Sequence, residues 1–105
     1  MKMIEREADV ESHLVREVGR RGGRCVKFDP SFLAGWPDRI VILPGGILVW
    51  VELKRPKGGR VAALQHHAHR VLRDLGQRVE LVYTKAEADE LIADLLSPAA
   101  AAPRT

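Results

Sequence analysis

The apolar residues recur at helical spacing in three segments of the chain, residues 4–21, 61–75 and 85–96. Glycines follow the first two segments, as is typical of helix C-termini. Thr84 and Glu87 form a capping pair that marks the start of the third helix. The middle helix has the clearest apolar stripe, and we expect the stripe to face the core: Val61, Leu64, Ala68, Val71, Leu72 and Leu75.

Continuous runs of apolar and β-branched residues predict four strands, at residues 25–28, 39–43, 47–53 and 79–83. The Pro-Gly-Gly sequence at residues 44–46 predicts a hairpin turn between the second and third strands. The third strand, the middle helix and the fourth strand predict a right-handed crossover, which makes these two strands parallel. The fold class is therefore α/β, a mixed sheet flanked by helices in the order α-β-β-β-α-β-α.

The length of the hairpin turn decides which side chains meet at the far end of the hairpin. If the turn is a three-residue loop, Leu43 pairs with Ile47 and Asp38 lies directly opposite Glu52, with Cβ atoms roughly 4.5–5.5 Å apart. Lys54 shares the face of Glu52 because side chains alternate along a strand. A two-residue turn would misalign all three groups. We therefore expect Asp38, Glu52 and Lys54 to lie together.

Two facing carboxylates repel each other, so the fold tolerates Asp38 and Glu52 best with a positive charge between them. That charge is either the Lys54 ammonium or a divalent cation. Mg²⁺ takes carboxylate and carbonyl oxygens, and the backbone carbonyl of Leu53 can supply one of them. The simpler alternative is an amphipathic strand with Glu52 and Lys54 on its exposed face. The four successive apolar residues at 48–51 argue against that alternative, since they indicate a strand covered on both faces.

The bulk properties of the chain set its class. With 105 residues, a net charge of +3 and a pI near 9.4, it suits one compact domain, placed at residues 1–96, followed by an Ala/Pro-rich tail at 97–105. The basic excess fits a polyanionic partner and equally an ordinary solvated surface. Cys25 is the only cysteine, and its apolar neighbours favour a buried thiol in a reducing compartment. The sequence predicts neither a signal peptide nor a membrane span, so we expect a cytoplasmic protein.

Basic residues beside the acidic pair are candidates for contacts to a DNA backbone: Lys27, Arg39, Arg55, Lys57 and Arg60. Trp36 either wedges against a base or packs its loop, and packing is favoured. His66, His67 and His69 lack further ligands for zinc, and with neighbouring arginines they favour a polar or DNA-facing surface. The glycines lack the spacing of a phosphate-binding loop, so no nucleotide cofactor is expected.

Three motifs in order, GWPDR at 35–39, LPGG at 43–46 and VELKRP at 51–56, resemble the VRR-NUC branch of the PD-(D/E)XK nucleases. The similarity runs from residue 11 to residue 83. Gln65 matches a glutamine that follows the Glu-x-Lys strand in that branch. Two interpretations of Gln65 are equally favoured, a residue that positions the lysine or a water and a plain boundary residue. Glu11 matches a metal-binding glutamate on the first helix, with Glu7 one turn earlier as a rival.

The resemblance implies a restriction-endonuclease-like core and hydrolysis of DNA phosphodiesters with Mg²⁺ or Mn²⁺. It implies catalytic roles for Asp38, Glu52, Lys54 and Gln65, and a metal site formed by Glu11, Asp38, Glu52 and the Leu53 carbonyl. The resemblance also implies a homodimer that acts on branched DNA such as four-way junctions. Two alternatives stay open, a flap or nick nuclease working in a replication-repair complex and an inactive DNA-binding module.

Overall fold

The computed structural model describes residues 5–28, 33–55 and 60–97 and has the predicted order of elements. The elements are α1 (Glu7–Arg20), β1 (Arg24–Lys27), β2 (Arg39–Leu43), β3 (Ile47–Leu53), α2 (Ala63–Asp74), β4 (Val79–Val82) and α3 (Lys85–Leu95). The bounds of β2 and β3 agree with the sequence, and the other elements differ from it by a few terminal residues. The α/β fold class is confirmed. Apart from Ser97, the predicted tail lies outside the described residues.

The four strands form one sheet in the order β1-β2-β3-β4. The pairs β1–β2 and β2–β3 are antiparallel, whereas β3 and β4 are parallel, as the crossover through α2 requires. Leu43 pairs with Ile47, so the predicted three-residue loop is confirmed. Gly45 and Gly46 have φ angles of 94° and 77°, a left-handed conformation that glycine adopts without strain.

Helices α1 and α3 cover one face of the sheet and form the main hydrophobic core with it. The amphipathic stripe of α1 buries Val10, Leu14 and Val18 against inward-facing strand residues such as Val41 and Val49. Successive side chains of β2 and β3 point to opposite faces of the sheet. The opposite face therefore carries the intervening residues of these strands, including Glu52. The main core therefore lies on the side of the sheet away from Glu52.

Helix α2 packs on that second face, but with a different stripe from the predicted one. Ala68, His69 and Leu72 are buried, whereas Leu64 and Leu75 are 52% and 71% exposed. The prediction that the whole apolar stripe faces the core was wrong. Residues spaced like 65, 69 and 72 share one helix face, so the buried face of α2 is centred on a histidine.

The half of the second face formed by β1 and β2 is less covered. α2 contacts β4 more extensively than it contacts β1 or β2. Val26, Ile42 and Leu48 point to this face and are each more than two-fifths exposed. An apolar surface therefore lies beside α2.

Both predicted caps fall where the sequence indicates. Gly76, which follows α2, has a φ angle of 83°. The Thr84 hydroxyl accepts a hydrogen bond from Glu87 N at 3.0 Å, and the Glu87 carboxylate accepts one from Tyr83 N rather than from Thr84 N. None of the helices in the described ranges is long and apolar enough to cross a membrane.

Candidate active site

The loop that leads into β2 delivers Asp38 to the edge of the site. Gly35 has a φ angle of 87°, and a Cβ atom there would lie 2.6 Å from the Leu64 carbonyl oxygen, so only glycine fits between the loop and α2. Trp36 packs against Phe28 and Trp50, with ring centroids 5.4–5.9 Å from its own. The interpretation of Trp36 as a packing residue is confirmed.

Asp38 is held by hydrogen bonds at its main chain and its side chain. Its carbonyl oxygen accepts a hydrogen bond from Phe28 N at 2.8 Å, which anchors it beside β1. Its Oδ2 accepts a hydrogen bond from Leu53 N at 3.1 Å, which ties the carboxylate to β3. These contacts hold the Asp38 side chain at the end of β3, beside Glu52.

Glu52 is 2% exposed and is the most strongly perturbed acid of the site. Its pKa is raised to about 8, first by burial and then by hydrogen bonding and charge from the neighbouring Asp38, while the Lys54 charge opposes the shift. The Lys54 ammonium lies 3.8 Å from Glu52 Oε2, and its side chain is 17% exposed. The structure thus brings together Asp38, Glu52 and Lys54, as the hairpin register predicted.

His69 is the residue of the site that the sequence analysis misplaced. It is 2% exposed, and its Nε2 lies 3.7 Å from Glu52 Oε1. The prediction of a polar or DNA-facing histidine surface holds only for the exposed His66 and His67, and for His69 it was wrong. The available signal was spacing, because His69 lies four residues after Gln65 and three before Leu72 on one helix face.

A pocket of about 600 Å³ opens beside Asp38. Acidic and basic side chains and the end of β3 line it, among them Glu7, Glu11, Lys27, Asp38 and Leu53. The Glu11 Oε2 accepts a hydrogen bond from Arg39 Nε at 3.0 Å, so one of its oxygens is already engaged. Glu7 is exposed, and its negative charge contributes to the raised pKa of Glu52.

Of the remaining predicted site residues within the described ranges, Lys27 lines this pocket. Arg39 is half-buried and binds Glu11 and the Cys25 carbonyl, so it holds the helix carboxylate rather than facing outward. Gln65 Oε1 accepts a hydrogen bond from Ala62 N at 3.0 Å, which is a helix-capping contact. Lys27, Arg55 and Arg60 are exposed, and Lys57 lies outside the described residues.

Burial raises the pKa of the Cys25 thiol to about 11, with the Glu11 charge adding to the shift and the Arg39 charge opposing it. The thiol is therefore protonated at neutral pH and unsuited to act as a nucleophile. Cys25 is only partly buried, packed against the main core, so the expected buried thiol is found in part.

The donor set of the site fits a hard divalent cation. Asp38, Glu52 and the Leu53 carbonyl offer oxygen ligands, and Glu52 Oε1 is a buried oxygen without a hydrogen-bond partner among the described residues. No group of three or more His, Cys, Asp or Glu side chains in these ranges forms a complete metal site. A partial protein ligand set suits Mg²⁺, which usually keeps several of its waters.

Comparisons with known proteins agree with the fold. No protein-family model matches the chain. The chain is 42% identical over 79 residues to "Putative nuclease p44" of Acyrthosiphon pisum secondary endosymbiont phage 1, covering 75% of this chain and 83% of that protein. A solved structure described as a VRR_NUC domain superposes with a TM-score of 0.76 at 29% identity, covering 83% of this chain and 94% of the other.

The mixed sheet, its flanking helices and these similarities define a nuclease with a restriction-endonuclease-like fold. The chain belongs to the VRR-NUC family of that class.

Proposed function

We propose that this protein is an endonuclease that hydrolyses DNA phosphodiester bonds with Mg²⁺ or Mn²⁺. The observation that carries the proposal is the buried Glu52 carboxylate beside Asp38, with one oxygen unpartnered among the described residues and the Lys54 ammonium 3.8 Å from the other. A buried carboxylate beside a second acid is costly unless positive charge is close to it. Asp38 and Glu52 would therefore hold a divalent cation, whose charge would offset that cost.

Asp38, Glu52 and the Leu53 carbonyl would hold the cation, with a carboxylate of α1 assisting. Glu11 is the first candidate for that assistance and Glu7 the second, because both line the pocket next to Asp38. When bound, the cation neutralises charge on the phosphodiester and eases deprotonation of a water. The hydrogen bond from Leu53 N to Asp38 Oδ2 engages one oxygen of that carboxylate and ties it to the end of β3.

Lys54 supplies the positive charge that belongs to the protein itself. Its ammonium adjoins Glu52 and is half-buried, so it is available to orient the attacking water or to stabilise negative charge that develops on the phosphate. The side-chain carbonyl of Gln65 accepts a hydrogen bond from Ala62 N and so caps α2, while its amide N–H groups are donors that can orient a water. In this proposal the side chains of β3 and α2 act on the same phosphate.

The DNA backbone would lie over the pocket entrance, along the exposed cations Lys27, Arg55 and Arg60, with Lys57 next to them in sequence. Such contacts give affinity without reading the base sequence. Arg39 supports this surface indirectly by fixing Glu11. We therefore propose recognition of DNA structure rather than sequence, with branched DNA such as a four-way junction as the substrate.

A homodimer would give the enzyme two sites for two cuts. The open half of the second sheet face supports this assembly, because Val26, Ile42 and Leu48 form an exposed apolar surface of the kind that marks protein interfaces. Pairing about a two-fold axis buries the same surface on both copies. A basic domain with one site per chain gains its second site in this way.

The test is cleavage of synthetic four-way junctions, flaps, nicked duplexes and plain duplexes with Mg²⁺, with Mn²⁺ and with EDTA. We expect the wild type to cut junctions in a metal-dependent manner. Asp38→Ala and Lys54→Ala should lose cleavage while keeping junction binding in a gel-shift assay. Glu90→Ala, an exposed substitution on α3, is the matched control and should cut normally.

Each alternative has its own result in this assay. Preferential cutting of flaps or nicks by a monomer would replace the junction proposal with a flap or nick nuclease. Binding of all substrates without cleavage by the wild type would indicate an inactive DNA-binding module.

A further inference from the structure

His69 is a buried group for which the proposed mechanism has no role. It sits on the face of α2 that packs on the sheet, with 2% of its side chain exposed. Its Nε2 has no hydrogen-bond partner among the described residues, and neither does the nearest acidic oxygen, Glu52 Oε1. Buried polar atoms in folded proteins are nearly always paired. Two unpaired atoms that face each other therefore require an explanation.

The geometry around Glu52 divides its two oxygens between two neighbours. Oε1 lies 3.7 Å from His69 Nε2, and Oε2 lies 3.8 Å from Lys54 Nζ. A hydrogen bond from an N–H donor to an oxygen reaches about 3.2 Å between the heavy atoms. Both distances exceed this limit by less than about 1 Å. A small rotation of either side chain closes the His69 contact.

We infer that His69 is a positioning residue for Glu52, donating from Nε2–H to Oε1 and so keeping Oε2 beside Lys54. The inference rests on the proposed function, in which Glu52 is a metal ligand. Carboxylate ligands are themselves held by hydrogen bonds from groups behind them, and loss of such a group typically costs about 10- to 100-fold in metal affinity or activity. His69 occupies that place behind Glu52, on the helix that covers β3 and β4.

A purely space-filling role for His69 makes a different prediction from a positioning role. Glutamine places an amide N–H close to where Nε2 lies, whereas asparagine places one nearer to Nδ1, too short to reach Oε1. Leucine fills a similar volume without a donor. These three variants therefore separate hydrogen bonding from packing.

The experiment measures Mn²⁺ binding to the full chain by titration calorimetry, without DNA, for His69→Gln, His69→Asn and His69→Leu. We expect His69→Asn and His69→Leu to weaken Mn²⁺ about 10- to 100-fold, and His69→Gln to stay within about 3-fold of the wild type. Asp74→Asn, an exposed change on the same helix, is the control. A folded His69→Leu protein that binds Mn²⁺ like the wild type would overturn the inference.

A second measurement needs no metal and no variant. Nitrogen-15 NMR of the metal-free wild type at pH 9, where the Glu52 carboxylate is ionised and can only accept, reports which imidazole nitrogen of His69 carries the proton. We expect the Nε2–H tautomer, and an Nδ1–H tautomer would contradict the inference. If the wild type binds no Mn²⁺, the proposed function fails on its own, and this tautomer then decides the role of His69.

Discussion

Replacing Glu52 with glutamine tests how the fold tolerates a buried acid in the absence of metal. The pKa of Glu52 is raised from 4.5 to about 8, first by burial and then by the neighbouring Asp38. In the unfolded chain Glu52 ionises near pH 4.5, whereas in the folded protein it keeps its proton until about pH 8. Its contribution to stability is therefore fully present below pH 4.5 and is lost as the pH rises toward 8.

The size of this loss follows from the shift itself. Each pKa unit corresponds to about 1.4 kcal/mol, so the upper limit is about 5 kcal/mol. We expect a smaller loss, on the order of 2–4 kcal/mol in the free energy of unfolding, because relaxation of the surrounding polar groups lowers the cost of ionising a buried acid. The Glu52→Gln protein, which keeps a similar volume and carries no ionisable group there, should lack this loss.

The assay is urea unfolding between pH 5 and pH 9 in EDTA, followed by the fluorescence of Trp36 and Trp50. The difference between Glu52→Gln and the wild type cancels the titration of groups that both proteins share. This difference should grow by the expected amount between pH 5 and pH 8, and millimolar Mg²⁺ at pH 8 should restore the wild type alone. Parallel pH profiles for the two proteins would refute the argument, as would equal stabilisation of both by Mg²⁺.

Three further predictions concern the scaffold. Gly35→Ala should lower the free energy of unfolding, measured in urea, by about 2–4 kcal/mol, because the backbone is left-handed there and the added Cβ meets the Leu64 carbonyl at 2.6 Å. A change below about 1 kcal/mol would contradict this prediction. If the protein forms the proposed homodimer, Leu48→Lys should convert it to a monomer in light scattering, whereas Val15→Lys on α1 should leave it dimeric. A dimeric Leu48→Lys protein would place the interface elsewhere. At pH 8 the Cys25 thiol should react with a disulfide reagent about 100-fold more slowly in the folded protein than in the unfolded protein, because folding raises its pKa to about 11. Equal rates would show an accessible thiolate in the folded protein.

The local parts of the fold could be predicted from the sequence. The Pro-Gly-Gly turn fixes its own loop length, and that length fixed the pairing of Leu43 with Ile47 and hence the meeting of Asp38 with Glu52. Thr84 likewise marks a helix start through one hydrogen bond to a residue three positions away. In each case the deciding interaction joins residues close together in the chain.

The orientation of α2 could not be predicted in the same way. The apolar stripe and the buried stripe lie side by side on α2. A rotation of the helix about its own axis by less than a full turn would change which of them faces the sheet. Which stripe faces the sheet depends on contacts with distant residues, such as Gly35 against Leu64 and Glu52 near His69. Residue type also does not distinguish the buried His69 from the exposed His66 and His67.

The three-residue hairpin loop lies at the opposite end of β2 and β3 from the acids that it aligns. The five residues of β2 span about 17 Å, so the loop does not touch the reaction centre. Deleting one loop glycine would nevertheless slide one strand along the other and send Asp38 and Glu52 to different positions. The proposed site therefore depends on the length of this loop as much as on the acids themselves. A sequence survey restricted to the residues of the proposed site would overlook the loop.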